Sequence, residues 1–391
     1  MKIEIISNQH HLPPRPQTSD HRPQTLDQIP PMTDTYNVIG LMSGTSLDGL
    51  DVAYCHFAIA NGTWSYKILN ATTYEYSDEW RQRLSTIENA TAFDYALCNV
   101  RLGHYFGQYV RKFMTDNAVT LRDVDFVASH GHTVFHRPEL GLTTQIADPN
   151  AIAAETSLPV VADFRTLDVA LGGQGAPLVP IGDRLLFSQY DSCLNLGGIA
   201  NISFTQNNRR VAFDISPCNM ILNHLAQRIG MSFDKGGNVA RNGIASSELL
   251  AKLNALAYYD EPCPKSLGKE WFVEHFLPIF QQSALGIGTQ LATASEHIAT
   301  QIANVLNANN LHNVHVTGGG AFNSFLIDSL RAKTKCQISI PNALIINYKE
   351  AMVFAFLGVL RVRGQSNCLS SVTGASSDNC GGVVTGAAVN N

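Results

Sequence analysis

The stretch Gly40-Leu41-Met42-Ser43-Gly44-Thr45-Ser46-Leu47-Asp48-Gly49-Leu50-Asp51-Val52 constrains the fold more than any other part of the chain. Tyr36 to Ile39 before it and Val52 to Phe57 after it have strand patterns, so the stretch between them must reverse the chain. It holds Gly44 and Gly49, the hydroxyls of Thr45 and Ser46, and the carboxylates of Asp48 and Asp51. A turn of small residues exposes several backbone N–H groups and lets a phosphate approach the main chain, while hydroxyls add donors. The carboxylates can orient a magnesium-bound water, because magnesium prefers oxygen ligands and keeps much of its own water. The competing reading is a hairpin with ordinary turn residues. The density of donors and acids favours a phosphate-binding turn.

With 391 residues the chain is long enough for two domains. Charged residues make up 15% of it, against roughly 25% in a typical globular protein. With a formal net charge of -5, nothing supports a nucleic-acid or acidic-membrane partner. No apolar run approaches the roughly 18 residues of a membrane span; Ala351 to Leu360 reads as a buried helix or strand. Eight cysteines without Cys-x-x-Cys spacing argue against a zinc ribbon or disulfide scaffold. Met1 to Ile6 lacks the pattern of a secretory signal, so a cytoplasmic location is expected. Residues 1–35 carry six prolines and little to bury, which predicts a disordered tail, with Met32 as an alternative start.

From Tyr36 onward strands alternate with helices. Trp64 to Tyr76 extends the opening hairpin, and helices are expected over Asp78 to Asn89 and Phe93 to Asn117. Asp125 to Ser129 is a strand leading into His130-Gly131-His132-Thr133. A second hairpin, Cys193 to Phe204, turns at Gly197 and Gly198. Arg210 to Ile215 is a strand, with a helix starting at Pro217, where proline is tolerated in the first turn. Thr289 to Asn307 is a long helix. Val314 to Thr317, Gly318-Gly319-Gly320 and Ala321 to Thr334 form a strand, glycine turn and helix. A last helix is expected from Lys349 to Arg363. The chain has no Walker-type loop, no Gly-x-Gly-x2-Gly turn, no Gly-x-Ser-x-Gly elbow and no His-Glu-x2-His.

Two glycine-turn hairpins, one opening each half, followed by a late strand–glycine–helix unit, resemble the actin/Hsp70/sugar-kinase superfamily. From Asn37 onward the chain is similar to one family within it, the anhydro-N-acetylmuramic acid kinases. The resemblance rests on Gly40 to Asp51, His130 to Thr133, Ala162-Asp163-Phe164-Arg165, Gly172 to Pro180, Asn195 to Asn201, Pro264-Lys265-Ser266, Gly318 to Gly320 and Ser371 to Ser376, in that order. It implies a two-lobed α/β fold with ATP in the interlobe cleft: residues 36–160 as the first lobe, with 380–391 available to complete it, and 161–379 as the second. It also implies a cytoplasmic homodimer using ATP and Mg2+. The implied reaction has water attack carbon 1 of the 1,6-anhydro sugar while the released O6 takes the γ-phosphoryl group, giving N-acetylmuramic acid 6-phosphate.

The resemblance assigns Gly44, Thr45, Ser46, Leu47, Asp48, Gly49, Leu50, Asp51, Gly197, Gly198, Gly318 and Gly319 to ATP. His130, Thr133, Arg165 and Asn219 fall to the sugar. Asp214 is the expected general base, held ionised by the following helix N-terminus; alone it would read as a helix cap. Glu350 aligns with an acid that holds the sugar or assists the base, or else is a first-turn glutamate favouring the helix dipole. Arg165 suits the lactyl carboxylate, or a salt bridge to Asp163 or Asp168. His130, His132 and His136, alternating along a strand, leave a metal site conceivable, but none is assigned. Where the family has Asp-Thr-Gly-Pro-Gly-Asn, this chain has Asp214-Ile215-Ser216-Pro217-Cys218-Asn219. Two β-carbons thus stand where a positive φ would exclude them. Cys218 reads as a packing thiol. The alternatives are a kinase of another amino sugar, or a nucleotide-dependent regulatory protein that has lost catalysis.

Overall fold

The computed structural model describes residues 35–386 apart from Thr45. The expected tail, including Met32, and the ends of the chain lie outside the described residues, except that Thr35 opens the first strand. Twelve strands are described: β1 Thr35–Ser43, β2 Gly49–Ala60, β3 Thr63–Glu75, β4 Phe126–Arg137, β5 Leu142–Ile146, β6 Val160–Ala162, β7 Ser192–Leu196, β8 Ile199–Gln206, β9 Arg209–Pro217, β10 Asn313–Thr317, β11 Gln337–Ser339 and β12 Val383–Thr385. They form two sheets, ordered β12-β6-β4-β1-β2-β3 (with β5 on β4) and β11-β10-β7-β8-β9.

Both sheets follow one plan. An antiparallel meander of three strands comes first (β1-β2-β3 and β7-β8-β9). The first strand of each meander then takes a parallel partner, β4 on β1 and β10 on β7, and a further parallel strand follows outward, β6 on β4 and β11 on β10. This duplicated α/β arrangement is the two-lobed actin-like fold expected from the resemblance. β6 straddles the expected lobe boundary at residue 160 and belongs to the first sheet, and β12 joins it by pairing with β6.

Helices cover both faces of the first sheet, and so the central strand β1 reads as nearly continuous apolar sequence. On one face lies the helix Ala92–Asp116, burying Leu102, Phe106, Val110 and Phe113. Its N-cap Thr91 accepts a hydrogen bond from Asp94 N at 3.1 Å. On the other face lies Ala343–Val362, in which every residue from Ala351 to Leu360 is buried. This helix begins at Ala343 rather than at Lys349. Asn342 caps it by accepting from Ile345 N at 3.0 Å. Glu350 is therefore in the helix body, and the first-turn reading of it falls. Among the described helices, Ala343–Val362 is the one long and apolar enough to cross a membrane, but 67% of its apolar window is buried inside the protein.

Two other starts differ from expectation. The helix after β9 is Asn219–Gln227, and Pro217 still pairs with Ile199 in the sheet. The helix after β10 is Ser324–Arg331, capped by Asn323 accepting from Leu326 N at 3.1 Å, because Gly319–Phe322 first forms a 3-10 turn. In the second sheet, Ile287–Ala308 buries Leu291, Ala294, Ile298, Ile302 and Leu306. A helix that the glycine-rich sequence did not suggest, Val179–Leu186, lies between the sheets and touches β3, β8, β9 and Ala343–Val362.

Candidate active site

The first hairpin narrows the expected phosphate turn to its tip. β1 runs to Ser43 and β2 starts at Gly49, leaving Gly44 and Ser46 to Asp48 outside the ladder; Thr45 lies outside the described residues. A β-carbon on Gly44 would meet nothing nearer than Ser46 Oγ at 3.4 Å, so packing does not demand glycine and the approach is open. Gly49 is different: a β-carbon there would sit 2.4 Å from Tyr74 O, so this glycine serves the β2–β3 pairing. Leu50 is wholly buried in the core, and its side chain is closed to a nucleotide. Leu47 holds φ +60° and donates its N–H to Gly44 O at 3.3 Å. Beside the tip a cavity of about 700 Å³ is lined by Ser46, Leu47, Asp48, Thr73, Glu75 and Arg81 among others.

The second hairpin and the late glycine turn interlock. Gly318 has φ +82°, and a β-carbon on it would lie 2.5 Å from Asn195 Oδ1 and 2.8 Å from Leu196 O. The carbonyls of Gly197 and Gly198 accept from the first N–H groups of the Asn219 helix, from Asn219 N at 3.1 Å and Cys218 N at 2.8 Å. Asn219 Nδ2 donates to Leu196 O at 2.9 Å. Asn219, expected to face the sugar, thus braces the glycine hairpin with its side-chain amide.

Behind these turns, His130, Arg165, Glu350 and Asp51 form one electrostatic group. Arg165 donates from Nε (3.0 Å) and NH2 (2.9 Å) to His130 Nε2, and from NH1 to Gly175 O at 2.6 Å. His130 Nε2 must therefore be unprotonated. Burial first, and then the Arg165 charge, push the imidazole well below its ordinary range. Burial also lowers Arg165, to about 10, while Glu350 opposes that shift. Among the described residues Arg165 has no salt bridge to Asp163 or Asp168, which removes that alternative. Solvent reaches Glu350, yet protein surrounds it, as at the floor of a cleft. Desolvation raises its carboxyl, Arg165 and Lys349 pull it down, and Asp51 pushes it up. Asp51 is itself raised by burial and by Asp48, against the Thr73 hydroxyl, which donates to its Oδ1 at 2.6 Å.

The histidines do not share a face. The β1–β4 register slips between Leu41 and Ser43, where Gly131 adopts φ +74°, a bulge that reverses the alternation of side chains. His130 packs 4.5 Å from the Phe354 ring on the Ala343–Val362 side. His132 Nδ1 instead pairs with Ser43 Oγ at 2.9 Å, and Ser43 Oγ with Tyr76 OH at 2.7 Å, on the opposite side. His136 Nδ1 meets Thr143 Oγ1 at 3.1 Å. Thr133 Oγ1 accepts from Gln145 Nε2 at 3.4 Å. Among the described residues no group of three His, Cys, Asp or Glu could hold a metal ion.

Asp214 stands on β9 opposite Asn201. Its Oδ2 accepts from Leu267 N at 2.9 Å, its N–H donates to Lys265 O at 3.1 Å, and Tyr258 OH donates to its carbonyl at 2.6 Å. Residues 265–267, overlapping the Pro264-Lys265-Ser266 motif, thus clasp Asp214 through Lys265 O and Leu267 N. Burial raises the Asp214 carboxyl and the Leu267 N–H only partly offsets this. The expectation of a carboxylate held ionised by the helix end is corrected, because the helix begins beyond Cys218 and desolvation dominates. A raised acid is still a better proton acceptor at neutral pH. Neither Ser216 nor Cys218 has a positive φ. Ser216 Oγ donates to Pro217 O at 3.0 Å, and Cys218 is buried in the core with its thiol pushed up to about 12, as befits packing.

Sequence reading missed one buried carboxylate, Asp183, and the structural role of another, Asp168. Asp168 accepts from Gly175 N (2.8 Å), Thr373 Oγ1 (2.8 Å), Asn379 Nδ2 (2.8 Å) and Cys368 Sγ (2.9 Å). It thereby ties the Gly172–Pro180 and Ser371–Ser376 motifs together behind Arg165. Asp183 pairs with Lys349 at 2.7 Å. The only sequence signal for either was an acid beside or within an apolar segment.

A family model described as anhydro-N-acetylmuramic acid kinase matches residues 36–387. The chain belongs to that family. It is 35% identical over 361 residues to the anhydro-N-acetylmuramic acid kinase of Aliivibrio fischeri, covering 86% of this chain and 96% of the relative. It is 32% identical to the enzyme of the same description from Francisella tularensis subsp. novicida, covering 88% and 97%, and 34% identical to that of Sulfurovum sp., covering 86% and 95%.

Proposed function

We propose that the chain is an ATP-dependent kinase that opens the 1,6-anhydro bridge of 1,6-anhydro-N-acetylmuramic acid and phosphorylates O6, in cell-wall recycling. The observation that carries this is the family match over residues 36–387, which spans every motif of the site. Asp214 takes a proton from water as its oxygen attacks carbon 1. The bond from carbon 1 to the bridging oxygen breaks, that oxygen stays on carbon 6, and it takes the γ-phosphoryl group as ADP leaves. Gly44 to Asp48 and Gly197-Gly198 face the phosphates, and Gly318-Gly319 border the adenosine. Asp48 and Asp51, two carboxylates that repel one another, would hold the magnesium that accompanies ATP through oxygen ligands and water, where it would neutralise phosphate charge.

Arg165, fixed by His130 and Gly175, turns its remaining N–H groups to the lactyl carboxylate. Glu350 receives a sugar hydroxyl or the attacking water. The regulatory reading rested on Ser216 and Cys218, and the ordinary φ of both removes its support. Eight free cysteines, most of them buried, suit the reducing cytoplasm in which we place the protein, as a homodimer. The test is incubation with ATP, Mg2+ and the anhydro sugar in ¹⁸O-water. Label at carbon 1 of a 6-phosphate product is expected. ATP hydrolysis without sugar product, or faster phosphorylation of a free hexosamine, would overturn the reading.

A further inference from the structure

The Asp183–Lys349 pair lies where the two sheets meet, and its connections lead to each part of the site. Lys349 Nζ is 2.7 Å from Asp183 Oδ1. Ser203 Oγ donates to Asp183 Oδ2 at 2.5 Å and accepts from Arg210 NH2 at 2.8 Å, and Arg210 NH2 is 4.0 Å from Asp183 Oδ2. All four residues are at most 5% exposed. Burial opposes the charge on Asp183 and Lys349 alike. For Asp183, the charges of Lys349 and Arg210 and the hydrogen bonds from Lys349 and Ser203 together outweigh burial and lower its carboxyl. For Lys349, Asp183 and Cys193 together outweigh burial and the opposing Arg210 charge and raise it, so both stay ionised. Buried ion pairs are weak evidence for stability, because apolar replacements often serve as well. The cluster therefore calls for another account.

Its neighbours supply one. Lys349 immediately precedes Glu350 on the Ala343–Val362 helix, and its Nζ reaches Thr317 Oγ1 at 3.5 Å. Thr317 immediately precedes Gly318 of the nucleotide turn. Arg210 and Asp214 lie on one face of β9, since the register from Arg210 to Asp214 is regular and side chains alternate. Ser203 is on the same face of β8, opposite Ala212. Asp183 comes from the Val179–Leu186 helix, which touches β3 of the first sheet and β8 and β9 of the second.

We infer that Asp183 and Lys349 are positioning residues for the kinase reaction: a charged tie that holds the Glu350 helix in register with the Gly318 turn and the Asp214 strand. Neither touches substrate. The inference rests on the site assignment proposed above. Apolar burial is non-directional, whereas a buried ion pair has a preferred geometry and can fix one register. A displacement of about 1 Å at the reacting groups is enough to cost about 10²-fold in rate.

The test compares Lys349→Met, Asp183→Asn and the double variant with the parent, using Glu350→Gln as a control on the site. Asp183→Asn leaves two buried cations without a counter-charge and should lose the most stability. The double variant leaves Arg210 alone and so restores the parent's buried net charge, and its Tm should recover. The tie predicts that kcat of the double variant stays about tenfold or more below the parent while KM for ATP and for the sugar change by less than about threefold. Parental kcat in the folded double variant, or a kcat that falls only as the folded fraction measured by circular dichroism falls, overturns the tie. An active Glu350→Gln would instead overturn the site assignment on which the tie depends; an inactive one leaves the double variant to decide the tie alone.

Discussion

Asp214→Asn separates chemistry from folding in one substitution. Two of the three hydrogen bonds that orient Asp214 use its backbone, N–H to Lys265 O and carbonyl from Tyr258 OH. The third, from Leu267 N to Oδ2 at 2.9 Å, can be accepted by an asparagine carbonyl. The change therefore removes the charge and the proton-accepting oxygen and little else. Removing a general base costs about 10²–10⁴ in rate, a barrier increase of about 2.7–5.5 kcal/mol. Stability should move the other way. The folded carboxyl is raised above its unfolded value of 3.8, with burial as the leading cause. As pH rises from 3.8 through the raised value, the unfolded chain gives up its proton first, so the native state binds more protons and stability falls with pH. At pH 7 the ionised Asp214 is thus a net burden, and asparagine relieves it. The expected result is kcat for the anhydro sugar at least about 10²-fold lower, ATP affinity by calorimetry unchanged, and Tm equal or higher. In the parent, kcat should fall on acidification at a pH above the ordinary aspartate range. Near-parental turnover would refute the base assignment; a large drop in Tm would refute the account of its burial.

Gly318→Ala puts a β-carbon at φ +82° and within 2.8 Å of Leu196. Strain of about 1–3 kcal/mol is expected, seen as a lower Tm and a raised KM for ATP. Arg165→Met should raise KM for the sugar more than KM for ATP; in addition it frees His130 from the cation that lowers it, so the imidazole should titrate higher by NMR. The double reversion of Ser216 and Cys218 to glycine should leave kcat within about threefold, since neither position has a positive φ. Its Tm should fall, because Cys218 fills a wholly buried place in the core.

The turns of the candidate site were legible in the chain because they are chemically local. Gly44 and Ser46, the Gly197-Gly198 hairpin and the Gly318 turn announce themselves by small residues and hydroxyls next to apolar strands, and their order along the chain fixes the duplicated sheet plan. What the sequence could not convey is which members of a motif face a ligand and which serve the fold. Gly49 and Leu50 belong to strand pairing and core, Asn219 braces a hairpin, and a bulge at Gly131 sends His130 and His132 to opposite faces. The alternative that put Glu350 in a helix's first turn fails because the cap at Asn342 lies well before the apolar run that marked the helix. The charged tie was beyond reach for a deeper reason. Asp183 and Lys349 are distant in sequence, neither local pattern points to the other as partner, and only the packing of the two sheets against their shared helices brings them to 2.7 Å and makes them a pair. Local motifs determined the chemistry available to this protein; burial and long-range packing decided where each group points and which charges must meet.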